Sequence, residues 1–312
     1  MKTYLAVDLG GTNVTLGLVT DQGRLLKKDR FPVQAERGIE PILADLIGRL
    51  QAIMNGLDSS ERPAGLAVGA AGFIRPDKGL LVAAPNLPGW KEVPLARILG
   101  DVLGLEVRLG NDSDLYTLGE WLVGAGRGYR NLVGLTLGTG VGGGLVLNGS
   151  LWSGSFGTAA EIGHIVIEPD GRPCTCGSRG CLETLASATG MTRTARELML
   201  QGRSCGFKGR ESDLSAADLY HLACQGDEVA LETFARAGWA LGLALTGIFN
   251  LLGLEAAMIG GGAAKAFEFI YPKLWEEFSQ RVFAVDPARV AIITAALGDD
   301  APLLAAPALF RE

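Results

Sequence analysis

The chain has 312 residues, 48% of them hydrophobic and 20% charged, and a mean hydropathy of +0.25; it can bury one large core or two moderate ones, and a disordered chain is excluded. Its 28 Lys and Arg against 34 Asp and Glu leave a formal charge of -6, so it has no basic field for a phosphate backbone, and nucleic acid is not expected as a partner. Glycine is the outlier: 45 residues, about twice the usual share, with no collagen period.

The apolar run from Thr3 to Leu9 is broken by Asp8 before a secretory core could form, so a cytoplasmic location is expected. Thr3 to Leu9, Val14 to Val19 and Leu25 to Val33 read as three strands, the last two joined at the turn Asp21-Gln22-Gly23. A helical period follows over Ile39 to Met54, with Ile42, Leu43, Leu46, Ile47, Leu50 and Ile53 on one face, then a buried strand over Gly65 to Ala71. The strand Val107 to Leu109 leads into a helical stretch over Leu115 to Leu122, and a lobe boundary is expected near Gly110. The same grammar restarts at Leu132 to Leu137 and Gly143 to Leu147, and Ala256 to Ile259 and Val290 to Thr294 supply later strands. Gly202 to Asp213 reads as a surface loop, and His221 as an ordinary helix residue. Ala237 to Leu254 has no charge and reaches the length of a membrane span, but its glycines and Asn250 favour a buried helix over a membrane helix. No membrane partner is expected.

Two glycine turns carry the first chemical signal. Asp8-Leu9-Gly10-Gly11-Thr12-Asn13 lies between two predicted strands; its glycines let backbone N–H groups approach an anion, Thr12 adds a hydroxyl, and Asp8 can hold Mg2+. Leu137-Gly138-Thr139-Gly140-Val141-Gly142-Gly143-Gly144 satisfies G-x-G-x-x-G, but a strand follows it where a dinucleotide fold needs a helix. Alone, each turn is no more than a hairpin; two, each opening an α/β lobe, are far more specific. Between them lies Gly110-Asn111-Asp112-Ser113, where Asp112 ends a strand and starts a helix. From there a carboxylate can reach a reacting group or simply cap the helix, since Asn, Asp and Ser all favour that position.

The cysteines are clustered: Cys174, Cys176 and Cys181 fall within eight positions, ten residues after His164, while Cys205 and Cys224 stand apart. An odd, clustered set points to metal over disulfides, and three thiolates with one imidazole form a closed Cys3His zinc set. The C-x-C-G-x-x-G-C spacing supplies glycines where a chain must wrap an ion.

Taken together, D-L-G-G-T-N, N-D, L-G-T-G-V-G-G-G and E-x-G-H followed by C-x-C-G-x-x-G-C-x-E resemble the ROK family of sugar kinases and repressors, in the actin and hexokinase-type ATPase superfamily. Pro85-Asn86-Leu87-Pro88-Gly89-Trp90 adds a likeness to its bacterial glucokinases. The resemblance implies an α/β fold of two ribonuclease-H-like lobes around a nucleotide and sugar cleft. Residues 1–110 would form the small lobe, 111–299 the larger lobe with a zinc-binding insert at about 161–183, and 300–312 a helix returning to the small lobe.

It also implies ATP phosphates held by Gly10, Gly11, Thr12, Asn13, Gly138, Thr139 and Gly140, with Mg2+ near Asp8 and the adenosine near Gly260, Gly261 and Gly262. Sugar contacts would come from Asn86, Asn111, Asp112, Glu161, His164 and Glu183, and Asp112 would be the general base. A structural Zn2+ would sit on His164, Cys174, Cys176 and Cys181, one ring nitrogen of His164 facing the metal and the other the sugar. The expected activity is ATP-dependent phosphorylation of a hexose, glucose first, in a homodimer. The alternatives are a kinase for an N-acetylated amino sugar or another hexose, and a sugar-sensing regulator without activity. One departure concerns the C-terminus, where Pro302 fits a first helical turn but Pro307 should shorten or kink the helix.

Overall fold

The computed structural model describes residues 1–58, 61–84 and 86–311; Pro85 of the Pro-Asn-Leu-Pro-Gly-Trp motif lies outside them. The chain forms two compact units: Met1–Gly128 with Gly144–Ala159 and everything from Leu297 onward, and Tyr129–Gly143 with Ala160–Ala296. This division differs from the expected one at 1–110, 111–299 and 300–312.

In the first unit, strands β1 (Thr3–Leu9), β2 (Asn13–Thr20) and β3 (Leu25–Pro32) form an antiparallel meander, and helix α1 (Ile39–Asn55) follows. Its Ile42, Leu43, Leu46, Leu50 and Ile53 are buried, the face that the period of 3.6 predicts, with Ile47 packed beside them. Strand β4 (Leu66–Ala70) pairs parallel with β1, giving the core its continuous apolar run. A small sheet of β5 (Phe73–Arg75), β6 (Leu80–Ala83) and β7 (Lys91–Val93) comes next, then helix α2 (Leu95–Leu103) and strand β8 (Val107–Asn111). The main sheet has the order β3-β2-β1-β4-β8.

Helix α3 (Asp112–Val123) leaves the end of β8 and stays in the first unit because it packs on the returning chain. A Cβ at Gly119 would overlap the Ala301 carbonyl oxygen. Glu120, fully buried, accepts the Leu297 N–H on Oε1 at 2.6 Å and the Ala125 N–H on Oε2 at 2.9 Å. Glu120→Ala is expected to cost roughly 2–4 kcal/mol by stranding those two amides, read as a drop in chemical-denaturation midpoint. The C-terminal segment is a short α9 (Ala301–Leu304) continued as a 3-10 helix over Ala306–Phe310. Pro302 sits in the first turn and Pro307 opens the 3-10 stretch, so the α-helix is shortened as its prolines require. Leu303, Leu304 and Ala306 pack against Tyr4, Ala6, Val19 and Ala67.

The second sheet repeats the first topology. Strand β9 (Leu132–Leu137) leads into β10 (Val141–Leu147) and β11 (Ser150–Leu151), and β12 (Ala256–Gly260) and β13 (Ala291–Thr294) extend the sheet in parallel; the order is β11-β10-β9-β12-β13. The chain passes from one unit to the other within β10, between Gly143 and Gly144. Helices α4 (Glu183–Ala186), α5 (Ala188–Leu200), α6 (Ala216–Cys224), α7 (Glu228–Leu252) and α8 (Phe267–Arg281) complete the second unit.

α7 contains the uncharged stretch. By length and composition it is the one helix among the described residues that could span a membrane. Its Ala237, Ala240, Leu241, Ala244, Leu245 and Phe249 are nevertheless buried in the protein. Gly238 and Gly242 let α8 approach: a Cβ at Gly238 would overlap the Ile270 carbonyl, and one at Gly242 would lie 2.7 Å from that of Leu274. Close helix packing is what these glycines serve. His221 is exposed on α6.

Candidate active site

Within the first unit, β1 ends at Leu9 and β2 begins at Asn13, so Gly10, Gly11 and Thr12 form the tight turn, closed by the Gly10 N–H donating to the Asn13 carbonyl at 3.1 Å. Thr12 is exposed at its tip. Asn86 lies against this turn, for a Cβ on Gly11 would come 2.7 Å from the Asn86 Cβ.

Asn111, not Asp112, caps α3: its side-chain oxygen accepts the N–H groups of Ser113 at 2.9 Å and Asp114 at 3.3 Å, and its amide donates to the Gly72 carbonyl at 3.2 Å. Asp112 is the first helical residue, its Oδ1 accepting the Ser113 N–H at 2.8 Å. Burial pushes its carboxyl above the usual range, partly offset by the Ser113 hydrogen bonds. Asn111 thus supplies the cap, and Asp112 shares only the Ser113 N–H with it.

Asp8 closes the set at the end of β1. Its carboxyl is pushed up to about 7, first by burial, then by the negative charges of Asp112 and Asp299, with Arg30 opposing. Carboxylates gathered like this favour a cation, and the oxygen donor is what Mg2+ prefers. Without a cation, the folded state holds a proton on Asp8 that the unfolded chain has lost, in the window from 3.8 to about 7. Stability of the metal-free protein should therefore fall as pH rises through that window, and Asp8→Asn should flatten the slope in pH-dependent melting. Asp299 and Arg30, whose ion pair spans 3.6 Å, have no local signal that ties them to Asp8, because only the returning chain brings residue 299 to β3.

Within the second unit, Gly138, Thr139 and Gly140 form the matching turn between β9 and β10, with the Gly138 N–H donating to the Gly140 carbonyl at 2.9 Å. Gly260 ends β12 and Gly262 opens a 3-10 turn. Gly261, at φ 87, comes so close to this hairpin that a Cβ would sit 2.5 Å from the Leu137 carbonyl oxygen. The structure thus brings together the two glycine runs that sequence could only name separately.

Glu161 precedes a 3-10 turn over Ile162–His164, and His164 donates its N–H back to the Glu161 carbonyl at 3.0 Å. Ala160, just before, is held at φ 62, a strained conformation for a residue with a Cβ. Glu183 opens α4; its Oε2 accepts the Val141 N–H at 3.0 Å, and its Oε1 lies 3.9 Å from the Cys174 sulfur. One carboxylate therefore touches both the glycine hairpin and the cysteine cluster.

The ligand atoms of His164, Cys174, Cys176 and Cys181 all lie within 4.8 Å of one another. Cys176 and Cys181 sulfurs are 3.7 Å apart, and the Cys174 sulfur is 3.6 Å from His164 Nδ1. A disulfide needs about 2.05 Å. Two sulfurs each about 2.3 Å from a tetrahedral ion would lie about 3.8 Å apart, and sulfur and imidazole nitrogen about 3.6 Å, so the set fits zinc. His164 Nδ1 faces the cluster, which leaves Nε2 for another partner. Burial and the neighbouring thiols push the Cys181 thiol up to about 12, while backbone and thiol hydrogen bonds lower that of exposed Cys176. Such unequal thiols become thiolates together only with a cation to share. Gly180, at φ 66, permits the wrap: a Cβ there would overlap the Glu168 carbonyl.

A duplicated sheet order, with a glycine hairpin between the first two strands of each sheet, defines an α/β protein of the actin and hexokinase-type ATPase fold. Residues 4–312 match the ROK family, and the chain belongs to it. It is 37% identical over 312 residues to a glucokinase of Thermotoga maritima, covering 99% of this chain and 97% of the relative. Among solved structures, the ROK hexokinase of Thermus thermophilus matches with a TM-score of 0.83 at 28% identity, over 98% of this chain and 97% of that one. The ROK family glucokinase of Streptomyces griseus, solved with glucose and AMPPNP, matches with a TM-score of 0.79 at 29% identity, over 98% of both chains.

Proposed function

We propose that the protein transfers the γ-phosphoryl group of ATP to a hexose, with the 6-hydroxyl of glucose as acceptor and Asp112 as general base. The observation that carries this reading is a base-type carboxylate at the first position of α3 whose helix is already capped by Asn111. Similarity to the glucokinases above supports the substrate assignment. Phosphoryl transfer needs positioning and charge neutralisation more than covalent chemistry. Asp112 takes the proton of the attacking hydroxyl as the bond to phosphorus forms and the bond to the ADP oxygen breaks.

Backbone N–H groups at Gly10, Gly11, Gly138 and Gly140 cradle the phosphates with Thr12 and Thr139, Asn13 closes the first turn, and Gly260, Gly261 and Gly262 face the adenosine. Mg2+ bound near Asp8 would offset the phosphate charge. Asn86, Asn111, Glu161, His164 and Glu183 fix the sugar by matching its hydroxyls, so the acceptor oxygen outcompetes water. Zn2+ on His164 Nδ1, Cys174, Cys176 and Cys181 would lock the loop that orients His164 Nε2 and Glu183. A reduced thiol cluster suits the cytoplasm, where we place the protein, and we read it as a homodimer by family resemblance.

The test is a coupled assay with ATP and Mg2+ over glucose, mannose, fructose, N-acetylglucosamine and N-acetylmannosamine. Glucose should give the highest kcat/KM. A strong preference for an amino sugar overturns the substrate, and no turnover with any sugar overturns the enzyme reading in favour of a sensor.

A further inference from the structure

The second unit holds a cavity of about 660 Å3 that none of the roles above uses, walled by the back of the cysteine loop, α5 and α7. Four guanidinium groups line it: Arg172, Arg179, Arg193 and Arg236, beside the indole of Trp239. Three carboxylates oppose them, Glu168, Asp170 and Glu197, so the lining keeps a net positive charge in a chain of -6. The distribution matters more than the sum. Arg172 forms the floor, its side chain 11% exposed, and spends its donors on Glu197 at 2.6 Å, Thr194 at 2.9 Å and the carbonyls of Thr184 at 2.7 Å and Gly190 at 3.3 Å. Arg236 at the rim pairs with Glu232, which does not line the cavity. Arg179 makes no side-chain hydrogen bond among the described residues, and its backbone bridges to Pro173. Arg193 shares Glu197 with Arg172, at 3.1 Å, so four guanidinium groups and an indole line one space with fewer carboxylates than cations to answer them.

We propose that this cavity is an effector site for a small phosphorylated metabolite. Guanidinium forks match phosphoryl oxygens, an indole face suits the compact carbon body beside them, and the volume lies in the usual range of about 300–1,000 Å3 for small-molecule sites. The floor residue is also the transmission point. Arg172 accepts the Gly180 N–H at 2.8 Å on its own carbonyl and donates to the Thr184 carbonyl, one residue from Glu183. A ligand that draws on the Arg172–Glu197 pair acts on the loop carrying the cysteines and on the carboxylate assigned to the sugar. Its effect on sugar affinity equals its preference for one arrangement of that loop over another. Only this regulatory clause rests on the kinase reading; the binding does not.

The experiment is calorimetric titration of glucose-saturated, zinc-loaded protein with fructose 1,6-bisphosphate, phosphoenolpyruvate and pyrophosphate, with citrate as a non-phosphoryl anion. At least one phosphoryl compound should bind saturably and change the glucose KM several-fold. The double variant Arg193→Gln with Arg236→Gln should weaken that binding at least tenfold, while activity without the effector stays within about twofold, as expected for exposed ion pairs. Saturable binding of none, binding of citrate alone, or binding unchanged in the double variant overturns the site. Binding that leaves glucose KM untouched overturns the effector role. A protein without kinase activity that still binds a phosphoryl compound through these arginines keeps the site and removes only the kinase reading.

Discussion

Asp112→Asn is expected to lower kcat by roughly 10² to 10⁴ while glucose affinity, read by calorimetry, stays within a few-fold. The amide keeps the size and the hydrogen-bonding oxygen of the carboxylate but cannot take the hydroxyl proton. The variant should fold as the parent does, because Asn111 accepts the Ser113 and Asp114 N–H groups at the start of α3 and the amide oxygen of the new Asn can still accept the Ser113 N–H that Asp112 shares. Turnover within tenfold of the parent would remove Asp112 as the base. A second readout uses the direction of its pKa. Burial raises it, so the carboxylate needed as base is lost on acidification at a pH above the ordinary aspartate range of about 3.9. The acid limb of the kcat profile should lie above that range in the parent and be absent from the residual activity of the variant. An acid limb at an ordinary aspartate value would point to a different base.

On the proposed Cys3His zinc site, elemental analysis is expected to find one zinc per chain, and Cys176→Ser is expected to remove it and sugar binding with it. Three sulfurs and an imidazole nitrogen approach to tetrahedral distances only because the loop from Pro173 to Cys181 folds back on itself, with Gly180 donating to Arg172 and Cys174 to the Ser178 carbonyl. Those local bonds are few, and the proposed metal would supply the rest of the ordering. Loss would reach the residues proposed for the sugar through His164, which offers Nδ1 to the cluster, and through Glu183 beside Cys174. Gly180→Ala tests the same idea without touching a ligand: its Cβ would overlap the Glu168 carbonyl, so zinc content and sugar binding should fall together. Cys205→Ser, at a cysteine outside the cluster, should leave both unchanged. An active enzyme free of metal would contradict the assignment.

Much of the site is local in sequence and was legible there. The two glycine turns are three residues each between consecutive strands, and the Cys3His set spans eighteen positions, so residue type and spacing carry the chemistry. The helix over Ile39–Asn55 announces its buried face by its period. Residue type could not assign the cap among Asn111, Asp112 and Ser113, since all three are competent; the fold decides by turning the Asn111 side chain onto the helix amides. The small sheet of β5, β6 and β7 escaped because its strands are three or four residues long, too short to show alternation.

By itself, the sequence determined the main strands of both sheets, the recurrence of one hairpin grammar, and the clustering of metal-type side chains, because each depends on neighbours close along the chain. Tertiary structure decided what depends on residues far apart along the chain. Glu120 meets the Leu297 N–H across 177 positions, Gly261 meets Leu137, and the charge of Asp299 acts on Asp8. Such pairs form only when strand order and helix packing carry distant segments together. Each joins one residue to one distant partner inside the low-dielectric interior, and a single pair leaves no periodic trace in the sequence.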